Sequence, residues 1–172
     1  LEGCNFESRH LGLVTAEEIG DLQAIVEKLA QQAEKSLDLE SLLELANSAP
    51  ALEYIPQNME ALGKVKLAIA QDKAFCFYYQ DALDLLGELG AELVPFSPIT
   101  DKHLPECDGL ILGGGYPELY AKQLAENTSL LAEIKTALEN GLPCFAECGG
   151  FMYLLERYVD EANAYNWVGA IA

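Results

Sequence analysis

Gly109-Leu110-Ile111-Leu112-Gly113-Gly114-Gly115-Tyr116-Pro117-Glu118 is the stretch that decides how this chain folds. Gly109–Leu112 is a short apolar run, too brief for a helix and suited to a strand buried on both faces. Three glycines follow at once, where a backbone must turn sharply or approach another group closely. Pro117 then opens a helix, because its fixed φ and missing N–H cost nothing in a first helical turn. Strand, glycine loop and helix are the units of a parallel α/β sheet.

Working outward, a helix or helix pair is expected over about residues 117–140, with Thr128 as a cap partway and Gly141-Leu142-Pro143 as the stop. Cys144–Glu147 reads as a further strand and Gly149–Glu156 as a helix entering straight after it. Upstream, Lys66–Ala70 and Glu92–Phe96 are two more short apolar strands. Between them lies a helix carrying Ala82, Leu83, Leu85, Leu86 and Leu89, closed by Gly90. This order predicts an α/β fold: a three-layer, doubly wound, mostly parallel sheet of the flavodoxin-like kind. Functional groups in such sheets gather at the carboxyl ends of the strands. The two most unusual local sequences, Gly113–Glu118 and Glu147–Gly150, both fall there.

The first fifty residues have a different texture. Thr15 and Glu18 have capping-box spacing, and Ile19, Leu22, Ile25, Val26 and Leu29 then follow at helical intervals, predicting a helix over 16–35. Asp38 can cap a second helix over 39–47, ended by Pro50. Pro56 and Gly63 break the chain further on. Residues 1–50 are therefore expected to be a helical segment, 51–64 a linker, and 65–172 the α/β domain.

Composition narrows the function classes. A length of 172 residues allows one compact domain plus a shorter segment. A net charge of −18 with ten basic residues argues against nucleic acid as partner, since phosphate contacts need clustered Lys and Arg. No apolar run is long enough to span a membrane, and no secretory pattern opens the chain, so a cytoplasmic setting is expected. The five cysteines form no C-x-x-C pair, and two histidines give no zinc-type spacing, so no metal site is expected.

Cys148 has the context of a nucleophile. A strand, one cysteine, Gly149-Gly150 and a helix describe an elbow that presents a reactive atom at the top of a sheet. A helix N-terminus favours the thiolate, and the Gly149 amide faces any oxyanion formed on a carbonyl that Cys148 attacks. Taken alone, the same pattern also suits a small buried thiol. The Gly113–Gly115 loop can serve as an oxyanion nest facing the elbow. It is not a nucleotide P-loop, which requires a later Gly-Lys-Ser/Thr. Cys144, inside the strand, is expected to be an inert core thiol, and Cys76 and Cys107 to be packing residues.

Leu110–Glu118, Gly141–Pro143 and Ala146-Glu147-Cys148-Gly149-Gly150-Phe151-Met152-Tyr153-Leu154 resemble the glutaminase domain of cobyrinate a,c-diamide synthases. Trp167–Ile171 and Arg9-His10-Leu11-Gly12-Leu13-Val14 extend the resemblance, the latter to the end of a preceding ATP-dependent synthetase domain. The resemblance implies a class I glutamine amidotransferase-like sheet, incomplete at the C-terminus, behind the tail of the synthetase in residues 1–50. It implies glutamine and a corrinoid, cobyrinate, as substrates. ATP and Mg²⁺ would serve the full enzyme, with no cofactor bound to these 172 residues. By position Cys148 becomes the nucleophile, Gly149 with Gly114 or Gly115 the oxyanion donors, and Tyr116 and Glu118 residues of loop shape or glutamine contact. A nickel-sirohydrochlorin diamide synthase, a cobyric acid synthase and a non-catalytic domain on the same sheet are the alternatives.

The family's general base is a histidine downstream of the cysteine, and here no histidine follows His103. His103 sits in a polar loop and His10 in the segment resembling the other domain. The 172 residues by themselves are accordingly expected to have little glutaminase activity.

Overall fold

The computed structural model describes residues 4, 6, 14–53 and 59–171. It contains two compact units, Leu1–Pro56 and Gln57–Ala172. His10, with most of the Arg9–Val14 stretch, and the linker positions 54–58 lie outside the described residues.

In the first unit the expected helix over 16–35 is divided. Ala16–Glu18 forms a single 3-10 turn, Ile19 is extended, and α1 runs over Leu22–Ser36. The reason lies in the capping pair. The Thr15 hydroxyl donates to the Glu18 carboxylate at 2.9 Å instead of accepting from a backbone amide, and Gly20 disfavours continuation. The second helix, α2 (Leu39–Asn47), starts as its sequence predicts. Asp38 accepts from the Ser41 amide at 3.0 Å and from the Ser41 hydroxyl at 2.8 Å.

The second unit is built on a parallel sheet. Its strands are β1 (Val65–Ala70), β3 (Ala91–Phe96), β4 (Gly109–Leu112) and β6 (Cys144–Ala146), in the order β3-β1-β4-β6. Pro95 is tolerated because β3 is an edge strand and needs no outer ladder bond. Four short strands go beyond the sequence reading, and in one pair of them β2 (Phe75–Phe77) runs antiparallel to β5 (Gly114–Gly115). The glycine loop is thus part of a ladder.

Helix α3 (Gln80–Glu88) follows β2, and Gly90, at φ +104°, makes the turn into β3. The stretch after the glycines divides into a 3-10 turn (Pro117–Tyr120), α4 (Ala121–Glu126) and α5 (Thr128–Glu139). Asn127, rather than Thr128, stands at the N-cap position of α5. Its buried side chain donates to the carbonyls of Pro98 at 2.9 Å and Asp101 at 2.7 Å, which ties the helix junction to the loop after β3. After β6 come α6 (Gly149–Tyr153) and the hairpin β7 (Arg157–Val159) and β8 (Ala164–Asn166). Helix α6 stops three residues short of the expected Glu156, because Leu155 leaves it to bridge Ile171.

Alternation along the strands decides the two faces. Ala68, Ala70, Leu110 and Leu112 join Leu124, Leu130, Ile134, Tyr153 and Trp167 in one buried cluster. The opposite face carries Leu67, Ile111 and Phe145 beside Leu86 of α3 and Leu89 just after it, and there an apolar groove remains open. Phe145 is 61 % exposed at its edge. Cys144 is no core thiol as expected: it pairs with Leu110 on the edge strand β6, whose outer side nothing in the sheet covers, and it is exposed. Its apolar surroundings still push the thiol up to about 11.

Candidate active site

Strand order reverses between β1 and β4, so the crevice at their carboxyl ends is the topological switch point of the sheet. The Gly113–Gly115 loop leaves β4 at this crevice. Ala146 pairs with Leu112, so β6 delivers Cys148 to the same end of the sheet.

Cys148 has φ +47° and ψ −116°, and is the one non-glycine residue with positive φ among the described residues. These dihedrals belong to the first central position of a type II′ turn, where glycine is the usual occupant. A side chain held there needs over-determined surroundings. They are supplied by three backbone bonds around the turn. Glu147 N–H reaches Leu112 O at 3.1 Å, Gly150 N–H reaches Glu147 O at 2.8 Å, and Met152 N–H reaches Cys148 O at 3.0 Å. Helix α6 has five residues, so its macrodipole contributes little and the elbow stands on backbone geometry. The thiol side chain itself is exposed.

Both glycines after the cysteine are sterically required. A Cβ on Gly150 would lie 2.0 Å from the Leu112 carbonyl oxygen, and one on Gly149 would lie 2.8 Å from Pro117 Cδ and 3.3 Å from Gly115 N. The elbow is therefore seated directly on the glycine loop. Gly114 faces it: a Cβ there would be 3.7 Å from Cys148 Cβ. Gly115 lies against the β2 turn, where a side chain would meet the Ala74 oxygen at 2.0 Å. Among the described residues, no acceptor takes the Gly149 N–H.

The remaining sequence-selected residues occupy distinct places. Tyr116 is 1 % exposed and stands edge-on to Phe77 at 5.3 Å between ring centroids, a position inside the loop's support. Glu118 is half-buried on the 3-10 turn. His103 is not brought to the cysteine by any contact. Its Nδ1 lies 2.7 Å from Glu133 Oε1 on α5, the side chain is 80 % exposed, and the Leu104 amide donates to the other Glu133 oxygen. Those bonds hold the Glu133 carboxyl below its usual range.

Sequence reasoning missed Tyr78. Its hydroxyl accepts from the Gly113 amide at 2.9 Å and donates to the Ala70 carbonyl, joining the glycine loop to the end of β1. No local signal marks it, since its partners are eight and thirty-five residues away.

A strained cysteine elbow thus stands over a backbone-amide loop at the switch point of a parallel sheet. The chain belongs to the CobB/CobQ-like glutamine amidotransferase domain family, whose profile matches residues 66–172. It is 47 % identical over 165 residues to the cobyrinate a,c-diamide synthase of Caldanaerobacter subterraneus subsp. tengcongensis, covering 94 % of this chain and 36 % of that protein. The cobyrinate a,c-diamide synthase of Listeria innocua is 45 % identical over 163 residues, with the same coverage. That of a Synechococcus is 42 % identical over 170 residues, covering 95 % of this chain and 37 % of that protein. The chain thus spans a little over a third of the length of these relatives.

Proposed function

We propose that this chain is the ammonia-releasing part of a glutamine-dependent amidotransferase acting on cobyrinate, with Cys148 as the nucleophile. The observation that carries the reading is the Cys148 backbone, at φ +47° and facing Gly114. A cysteine placed so is exposed at the end of its strand, with its Cβ against the glycine loop.

The Cys148 sulfur adds to the side-chain carboxamide carbon of glutamine, and the carbonyl oxygen takes on negative charge. The Gly149 N–H, with that of Gly114 or Gly115, donates to this oxygen where charge develops, which is where a donor accelerates the step most. Collapse breaks the carbon–nitrogen bond. The departing nitrogen takes up the proton given up by the thiol and leaves as ammonia, and water hydrolyses the glutamyl thioester. Tyr116 and Glu118 shape the loop that receives the substrate.

The whole protein would pass this ammonia to the a and c carboxylates of cobyrinate, in cobalamin biosynthesis, as the names of the relatives suggest. ATP and Mg²⁺ would activate those carboxylates. The residues here do not fit that role: among those described, no three His, Cys, Asp or Glu side chains converge as metal ligands, and the glycine loop has no following Gly-Lys-Ser/Thr. In a protein as long as these relatives, other residues would supply that activating site. No described helix is long and apolar enough to cross a membrane, and five free thiols suit a cytoplasmic setting.

The test is covalent labelling with 6-diazo-5-oxo-L-norleucine, a glutamine-like electrophile, followed by peptide mass spectrometry. Modification of Cys148 alone, prevented by excess glutamine, is the expected result. Equal modification of Cys144 and Cys148, or none at Cys148, would overturn the reading.

A further inference from the structure

We infer that Tyr78 is a positioning residue for the glycine loop: its hydroxyl, anchored on the Ala70 carbonyl, holds the Gly113 amide and so fixes where Gly114 and Gly115 stand against Cys148. The inference rests on the reading of that loop as the oxyanion site.

The roles in this bridge are fixed by its partners. A carbonyl can only accept and an amide can only donate, so the single phenolic proton goes to Ala70 and an oxygen lone pair meets Gly113. Burial keeps the phenol protonated, with its pKa pushed up to about 12, so the bridge persists across the neutral range. The ring is matched to the glycine as well. A Cβ on Gly113 would lie 2.5 Å from Tyr78 Cε1, so the ring packs on the backbone with no room for a side chain.

The neighbouring residue acts on the next glycine: Phe77 pairs with Gly114 across β2 and β5. Consecutive residues, Phe77 and Tyr78, therefore grip consecutive glycines. Three glycines in a row are among the least self-restrained backbones available. An oxyanion donor works only if it is held in place before charge develops. The Tyr78 hydroxyl supplies that hold at the residue where the loop leaves β4, directly across the switch point from the end of β1. A phenylalanine would fill the same volume and leave the Gly113 N–H without its partner.

The experiment compares the chain with Y78F, and with Y79F as a control at an 80 % exposed neighbour. Two reagents are used: 6-diazo-5-oxo-L-norleucine, whose reaction needs the oxyanion loop, and iodoacetamide, which does not. Y78F should lower the maximal inactivation rate by the first reagent roughly tenfold, with little change in its half-saturating concentration. Iodoacetamide should modify Cys148 at the unaltered rate, and Y79F should change neither. In parallel, amide exchange followed by NMR should show Gly113 losing roughly tenfold or more of its protection in Y78F, while Leu67–Ile69 keep theirs. Unchanged inactivation in Y78F, or unchanged Gly113 protection, would overturn the role of Tyr78. If the unaltered chain reacts with iodoacetamide but never with the glutamine analogue, the glutaminase reading fails, and Gly113 exchange alone decides whether Tyr78 holds the loop.

Discussion

Cys148 Cβ stands 3.7 Å from the point where a side chain on Gly114 would begin. Thirty-four residues of sequence separate them, yet the pairing of Leu112 with Ala146 makes their meeting unavoidable. Two strands end side by side, one in a strained cysteine and the other in bare backbone. That juxtaposition gives the site a simple experimental handle.

Gly114→Ala should fold and fail to react with substrate. The added methyl would lie 3.4 Å from Phe77 Cβ and 3.7 Å from Cys148 Cβ, both tolerable contacts, while filling the space between the loop and the elbow. Unfolding midpoints close to those of the unaltered chain are expected. Labelling of Cys148 by the glutamine analogue should fall by about 100-fold, because the methyl keeps the carbonyl oxygen from reaching the amides that remain in place.

Gly150→Ala should instead damage the fold. Its Cβ would sit 2.0 Å from the Leu112 carbonyl oxygen, and neither strand β4 nor the elbow can retreat without breaking ladder bonds. A loss of about 3 kcal/mol or more in urea unfolding is expected, and a soluble chain of unaltered stability would contradict the packing described.

Cys148→Gly should raise stability as it removes chemistry. Relief of the positive φ gains about 1 to 3 kcal/mol, from which the flexibility of glycine in the unfolded chain subtracts about 1 kcal/mol. Cys148→Ser should show no such gain, because serine keeps the Cβ. Denaturant titration of the two variants side by side measures the difference.

Cys144 should be nearly silent toward alkylation at neutral pH. With its thiol pushed up to about 11, only about one molecule in ten thousand carries the thiolate at pH 7. Its iodoacetamide rate should climb about tenfold per pH unit and level off near 11. A plateau below pH 9 would mean that the thiol is better solvated than its partial burial indicates.

Glu133 gives the acid limb a component with a definite sign. Its folded pKa lies below the ordinary 4.5, so its contribution is fully present above that value and is lost as pH falls through the folded one. E133Q should therefore be less stable than the unaltered chain at neutral pH, and the two should converge on acidification. H103A should weaken the same component and leave labelling of Cys148 unchanged, because His103 engages Glu133.

Much of this was legible in the residues because it is local. The positions of β1, β3, β4 and β6 follow from short apolar runs cut by glycine and proline, and Asp38 announces α2 through a single side chain. The helix at 16–35 was overdrawn because a capping-box spacing does not say whether Thr15 will bond an amide or the Glu18 carboxylate. Cys144 is not the core thiol its strand position suggests, because β6 is an edge strand and only the strand order reveals that.

The sequence by itself determined which residues could form an elbow and an amide loop. Glycine, proline and cysteine impose their conformational limits within a few bonds. Only the tertiary structure decided the strand order, which sets the two loops against each other, and the backbone strain that lifts Cys148. It alone placed the Tyr78 hydroxyl between Ala70 and Gly113. Contacts across tens of residues depend on how strands pair and where a ring fits, and no local pattern records them.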